Sequence, residues 1–151
     1  MTTTSITPGT DLVITRVFDA PRKLVFAAWT EPEQLTAWMG PAGFTAHSVT
    51  GDPVPGGRFR SAIHSEKYGD LWSSGTYREV VAPERLVFTW GWEEPPGTPG
   101  LQTLITITFA DQDGKTEMKF LQQGLADIEA RDSHEGGWTS SFDKLSGYLQ
   151  R

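Results

Sequence analysis

The apolar residues of this chain keep two different rhythms, and the switches between them mark out its elements. From Asp11 to Phe18, the residues Leu12, Ile14 and Phe18 alternate with Val13, Thr15 and Val17, which is the period of a β-strand. Past Asp19-Ala-Pro21 the rhythm changes. Leu24, Val25, Ala28 and Trp29 recur at helical spacing, and Pro21 suits a helix's first turn. Thr30-Glu-Pro-Glu33 reads as a capping box, with Thr30 as N-cap, opening a second short helix through Leu35 and Trp38. Met39-Gly-Pro41 stops it.

Strands follow. Phe44 to Thr50 is one, and the turn-rich Asp52-Pro-Val-Pro-Gly-Gly57 joins it to an alternating strand from Arg58 to His64. Leu71 to Val81 and Leu86 to Glu93 are longer strands joined through Ala82-Pro-Glu-Arg85. Glu94-Pro-Pro-Gly-Thr-Pro-Gly100 must be an exposed loop, because proline cannot donate within a sheet. Leu101 to Phe109 places Thr103, Ile105, Ile107 and Phe109 on one face, and Asp111-Gln-Asp-Gly114 turns the chain back through Lys115 to Gln123. Last comes a helical stripe at Trp138, Phe142, Leu145 and Leu149. Gly136 and Gly137 weaken that helix, so it starts near Gly137 or runs from about Ile128 with a kink. One strand, two short helices, six strands and a long helix make an α+β architecture. Only the last helix is long enough to cover the concave face of such a sheet.

Composition narrows the function classes. A chain of 151 residues buries a core large enough to fold as one domain, here residues 11–151 behind a polar tail over 1–10. There is no cysteine, so disulfides, thiolate metal sites and cysteine nucleophiles are excluded. A net charge of −6 without a basic run argues against a nucleic-acid partner. No basic and apolar leader opens the chain, and no apolar run approaches a membrane span, so cytoplasm is the expected location. Six tryptophans and eight phenylalanines are more than a core of this size needs, and a surplus of rings suits a cavity for flat apolar molecules.

Several phrases are those of a known family. They are Phe18-Asp-Ala-Pro-Arg-Lys-Leu-Val-Phe26, Trp38-Met-Gly-Pro41, Gly56-Gly-Arg-Phe59, Gly75-Thr-Tyr-Arg-Glu-Val80, Pro83-Glu-Arg-Leu-Val-Phe-Thr-Trp90 and His134-Glu-Gly-Gly-Trp138. In this order, over residues 11–150, the chain resembles the START-like (SRPBCC, helix-grip) superfamily and, within it, the family named after the activator of the Hsp90 ATPase. The resemblance implies a curved antiparallel sheet of about seven strands around the last helix, with a cavity between. It does not imply a shared reaction. Many relatives carry a histidine where this chain has Gln122.

The chemistry-bearing residues point to binding more than to catalysis. His47, His64 and His134 form no H-x-H or H-E-x-x-H pair, Gly56-Gly57 lacks nucleotide-loop spacing, and Trp72-Ser-Ser-Gly75 is no nucleophile elbow, so neither a metal nor a cofactor is expected. Glu93 and Glu94 border a loop and read as solvated, and Glu79 calls for a cross-strand cation. Trp90 shares a strand face with Leu86, Phe88 and Trp92, while Trp138 and Phe142 share the helix face that looks back at the sheet. Ser61, Thr103 and Gln122 put polar groups on otherwise apolar faces, as a small-ligand site requires. The expected ligand-binding residues are Trp38, Phe59, Trp90, Phe120, Gln122, His134, Trp138 and Phe142. The expected partner is a hydrophobic, aromatic or lipid-like small molecule, and a homodimer is left open. Two other classes compete with this one: a co-chaperone-like module regulating an ATPase, and a cyclase- or hydrolase-like enzyme using His134 in the same cavity.

Overall fold

The computed structural model describes residues 10–150. The tail expected over residues 1–10 lies outside the described residues except for Thr10. The elements run β1 (Leu12–Phe18), α1 (Arg22–Thr30), α2 (Pro32–Trp38), β2 (Thr45–Gly51), β3 (Arg58–Ser65), β4 (Gly69–Val81), β5 (Arg85–Trp92), β6 (Thr103–Gln112), β7 (Lys115–Gln123) and α3 (Ile128–Leu149). The seven strands form one open antiparallel sheet in the order β1-β7-β6-β5-β4-β3-β2. Every strand from β2 to β7 pairs with its sequence neighbour, and β1 closes the far side against β7. This is the α+β helix-grip arrangement.

Alternation in the sequence sets the faces. Thr103, Ile105, Ile107 and Phe109 of β6 are all buried, as are Thr116, Met118, Phe120 and Gln122 of β7. Against this concave face α3 lays Trp138, Phe142 and Leu145, with Leu149 half-buried at the end of the stripe. Phe120 meets Trp138 at 4.9 Å and Phe142 at 5.5 Å between ring centroids.

One local expectation needs correction, and two are made definite. Thr30 does not cap α2. It is the last residue of α1 and its hydroxyl donates to the Phe26 carbonyl, so the cap position falls to Glu31, with Pro32 opening the helix. On α1, Leu24 is half exposed, whereas Val25, Phe26, Ala28 and Trp29 are buried. Of the two starts expected for the last helix, the earlier one, Ile128, is found, and the helix runs through Gly136 and Gly137 without a break. Its N-cap is Asp127, whose carboxylate accepts from the Ala130 amide at 2.8 Å. An acidic cap ahead of the first turn offsets what two interior glycines cost.

Glu93 is also not a solvated loop residue. Its side chain is 4% exposed and accepts a two-pronged hydrogen bond from Arg60, with Nε at 2.9 Å and Nη2 at 2.8 Å, plus the Gly97 amide at 2.7 Å. The Arg60 guanidinium lies 3.8 Å over the Trp72 ring. Hydrogen bonding from Arg60 first, and then from the Gly97 amide and Ser74, outweighs burial and holds the Glu93 carboxyl at about 2 against an ordinary 4.5. A carboxyl whose folded value is depressed gives stability that is complete above its ordinary value and lost as pH falls towards the folded one. Stability should therefore decline between about pH 5 and pH 2. Glu93→Gln should flatten that decline in urea titrations run across the same range. An unchanged slope would mean that Glu93 is not held in this pair. Glu79 does meet the cation it called for, Arg85 on β5, at 2.9 Å.

Candidate functional site

A recess of about 180 Å³ opens between the inner face of β3–β5 and the first half of α3. The strand register explains its floor. Ser61 pairs with Ser73 and Ile63 with Leu71 across β3 and β4, so by alternation these four side chains point to one face. Trp90 and Trp92 extend that face on β5, their rings edge to face at 4.9 Å. From the helix come His134, Gly137 and Trp138, while Met39 and Phe44 close the side towards α2. A Cβ added to Gly137 would meet nothing within 4 Å, so the missing side chain is itself part of the space. Gly136 does not line it.

The lining is uncharged: it contains no lysine, arginine, aspartate or glutamate. Its polar groups are serines and one imidazole. Ser61 and Ser73 hydroxyls lie 3.3 Å apart, and the Ser141 hydroxyl is occupied by the Gly137 carbonyl. His134 Nδ1 sits 2.7 Å from the Ala130 carbonyl. A carbonyl can only accept, so Nδ1 carries the proton and Nε2 of the neutral ring is left as an acceptor. The imidazole stands edge-on to Trp90 at 5.6 Å. No carboxylate among the described residues hydrogen-bonds His134, so the third member of a catalytic base assembly is missing there.

A smaller lobe of about 40 Å³ adjoins the first and shares Met39, Ser61, Trp90 and Trp138 with it. Its deeper wall is Trp29, Phe59, Tyr77 and Phe88. Burial, reinforced by the charge of Asp52, pushes the Tyr77 hydroxyl up to about 12, so it remains a protonated donor at physiological pH.

The eight residues expected from the sequence fall into two groups. Trp90, His134 and Trp138 line the recess, and Phe59 lines the inner lobe. The other four stand behind the walls. Trp38 is fully buried and donates its indole N–H to the Ala28 carbonyl at 2.9 Å. Phe120 and Phe142 are fully buried rings packed beneath Trp138. Gln122 is also fully buried, and every strong bond it makes is internal: Nε2 donates to Thr103 Oγ1 at 2.9 Å, and Oε1 accepts from Trp138 Nε1 at 2.9 Å. Thr103 in turn donates to the Trp90 carbonyl at 2.7 Å. This relay ties Trp138 on the helix to β7, β6 and the Trp90 carbonyl of β5, so Gln122 positions Trp138.

Sequence reasoning passed over Trp29, whose ring lies within 6.3 Å of five other rings. It also passed over the meeting of His47 and His64 on the outer face, where both reach Asp70 Oδ1, at 3.2 Å and 2.7 Å. Hydrogen bonds from His64 and then His47 hold the Asp70 carboxyl below its usual range. Among the described residues no group of three or more histidine, aspartate or glutamate side chains is arranged to hold a metal ion.

A seven-stranded antiparallel sheet gripping a long C-terminal helix defines a protein of the helix-grip class, built as a ligand-binding or interaction module. The chain belongs to the Activator of Hsp90 ATPase homolog 1-like protein family, whose model matches residues 19–150. Solved structures from bacteria are similar over nearly the whole length. One from Chromobacterium violaceum shares 24% identity over 93% of this chain and 98% of its own, with a TM-score of 0.82. The AHSA1 protein of Silicibacter pomeroyi shares 26% over 93% and 97%, with a TM-score of 0.83. One from Arthrobacter aurescens shares 22% over 97% and 90%, with a TM-score of 0.86. Among curated proteins none matches. No helix in the described residues is long and apolar enough to cross a membrane.

Proposed function

We propose that the protein binds a small, flat, uncharged hydrophobic molecule in the recess between β3–β5 and α3. The observation that carries this reading is the lining: three indoles, Trp90, Trp92 and Trp138, around an uncharged space with only serines and one imidazole as polar groups. A dry core of this size would fill such a space, because an unfilled one costs the contacts its walls fail to make. The volume of about 180 Å³ is close to the roughly 150 Å³ of an apolar cavity that takes up benzene. One or two fused rings fit it, and a long acyl chain does not. A charged ligand would lose its hydration there without an opposite charge to meet it.

Gly137 gives a test in which binding and stability move in different directions. Leucine at 137 meets no clash at its Cβ and replaces a poor helix former with a good one. Stability should hold or rise by up to about 1 kcal/mol. The longer side chain fills the recess, so affinity for the apolar bicycle indane should fall about tenfold or more by calorimetric titration. Unchanged indane affinity in a stably folded Gly137→Leu variant would place the ligand elsewhere.

A further inference from the structure

His134 carries a ring nitrogen that the protein leaves free. Its Nδ1 donates to the Ala130 carbonyl at 2.7 Å, and this bond fixes the tautomer, so Nε2 holds a lone pair. Nε2 has no partner among the described residues, and it is not one of the buried polar atoms that lack one, so it touches open space. The ring borders two such spaces. With Trp90 and Trp92 it lines both the recess and a second hollow of about 200 Å³ beneath the 94–100 loop. The imidazole thus stands between ligand-sized spaces rather than inside packed protein. The other ring nitrogens of the recess are indoles, which only donate, and that of Trp138 is already given to Gln122. The Ser141 hydroxyl is spent on the Gly137 carbonyl, and those of Ser61 and Ser73 face each other at 3.3 Å. A lone ring acceptor beside an apolar space is the kind of single placed polar group that orients a ligand.

We propose that His134 Nε2 accepts a hydrogen bond from a neutral hydroxyl or ring N–H of the ligand, whose aromatic ring lies in the recess against Trp90 and Trp138. This deepens the binding reading and rests on it. The ligand class is then a mono- or bicyclic aromatic molecule with one neutral donor at its edge: a phenol, or a heterocycle with an N–H. An ether or ketone oxygen has no proton to give. A phenolate or carboxylate sets its charge against the lone pair, and an ammonium finds no carboxylate in the lining to offset its lost hydration. The bond from Nδ1 to Ala130 anchors the ring to the helix, so the acceptor is held in place before the ligand arrives. His134 orients the ligand in this reading and takes no proton from it.

The test compares 5-indanol, 5-methoxyindane and indane against the full-length protein. The first carries a donor, the second the same oxygen without one, and the third neither. Indanol should bind about tenfold more tightly than either of the others. In ¹⁵N-labelled protein the His134 Nε2 resonance should move upfield with indanol and stay with the other two. His134 is assigned through variants at His47 and His64, which lie exposed on the outer face. His134→Phe keeps a ring but removes the acceptor, so it should bring the indanol and indane affinities together. Should that variant fail to fold, the Nε2 resonance of the native protein decides the matter. Indanol binding no tighter than indane, with an unmoved Nε2, overturns the donor subsite and leaves the apolar recess standing. Methoxyindane matching indanol does the same, because the oxygen is then an acceptor. So does an indanol advantage that survives His134→Phe, because the hydroxyl then meets the serine pair. If none of the three compounds binds, both readings fall.

Discussion

Phe142→Ala should cost about 3–5 kcal/mol of folding stability, which for a chain of this length lowers the melting temperature by about 10 °C. The size follows from how the site is built. Phe142 is fully buried and sits among four rings: Trp29 at 5.9 Å, Trp38 at 6.4 Å, Phe120 at 5.5 Å and Trp138 at 5.9 Å. Rigid rings held at these angles cannot collapse into the space a lost phenyl leaves, so the cavity term adds to the lost burial. Leu24→Ala is the matched contrast. Leu24 is an apolar helix residue too, but it is 51% exposed, and its loss should stay within about 0.5 kcal/mol. Chemical denaturation of the two variants side by side reads the difference. Equal losses would mean that α3 does not pack as described.

Gln122→Leu should destabilise by about 1–3 kcal/mol, although it places an apolar side chain of similar size in an apolar core. Leucine strands the Trp138 N–H, which has no other acceptor, and takes a donor from Thr103. The effect should depend on its partner. In a Trp138→Phe background there is no indole N–H to strand, so the same replacement should cost distinctly less, and a double-mutant cycle measures the coupling. Additive losses would mean that Gln122 and Trp138 act separately. The ring of Trp138 would also be freed to turn, so Gln122→Leu should weaken indane binding although Gln122 does not line the recess.

Much of the fold was legible because its signals are local. The alternation of Thr103, Ile105, Ile107 and Phe109, and the helical stripe from Trp138 to Leu149, are each written within one element. Each predicts a buried face without reference to any partner. The facing of Trp90 and Trp138 followed from those two faces together, once only one helix was long enough to cover the sheet. What stayed hidden depends on partners distant in sequence. Glu93 reads as a loop residue until β3 brings Arg60 beside it, 33 positions away. Gln122 reads as a ligand group until α3 supplies Trp138. Trp29 shows only as one more apolar residue in a short helix, since nothing in its neighbourhood tells that rings from β5, β7 and α3 converge on it. Thr30 misled for the opposite reason. The local pattern of a capping box was complete, but α1 kept the residue for its own last turn, where its hydroxyl found the Phe26 carbonyl.

The recess between sheet and helix is tested most directly by titrating indane into ¹⁵N-labelled protein and following the indole and amide signals. The expected result is saturable movement of the Trp90 and Trp138 indoles and the Gly137 amide, with the outer-face Trp72 indole still. Shifts confined to the outer face, or no saturable shift at any indole, would contradict it.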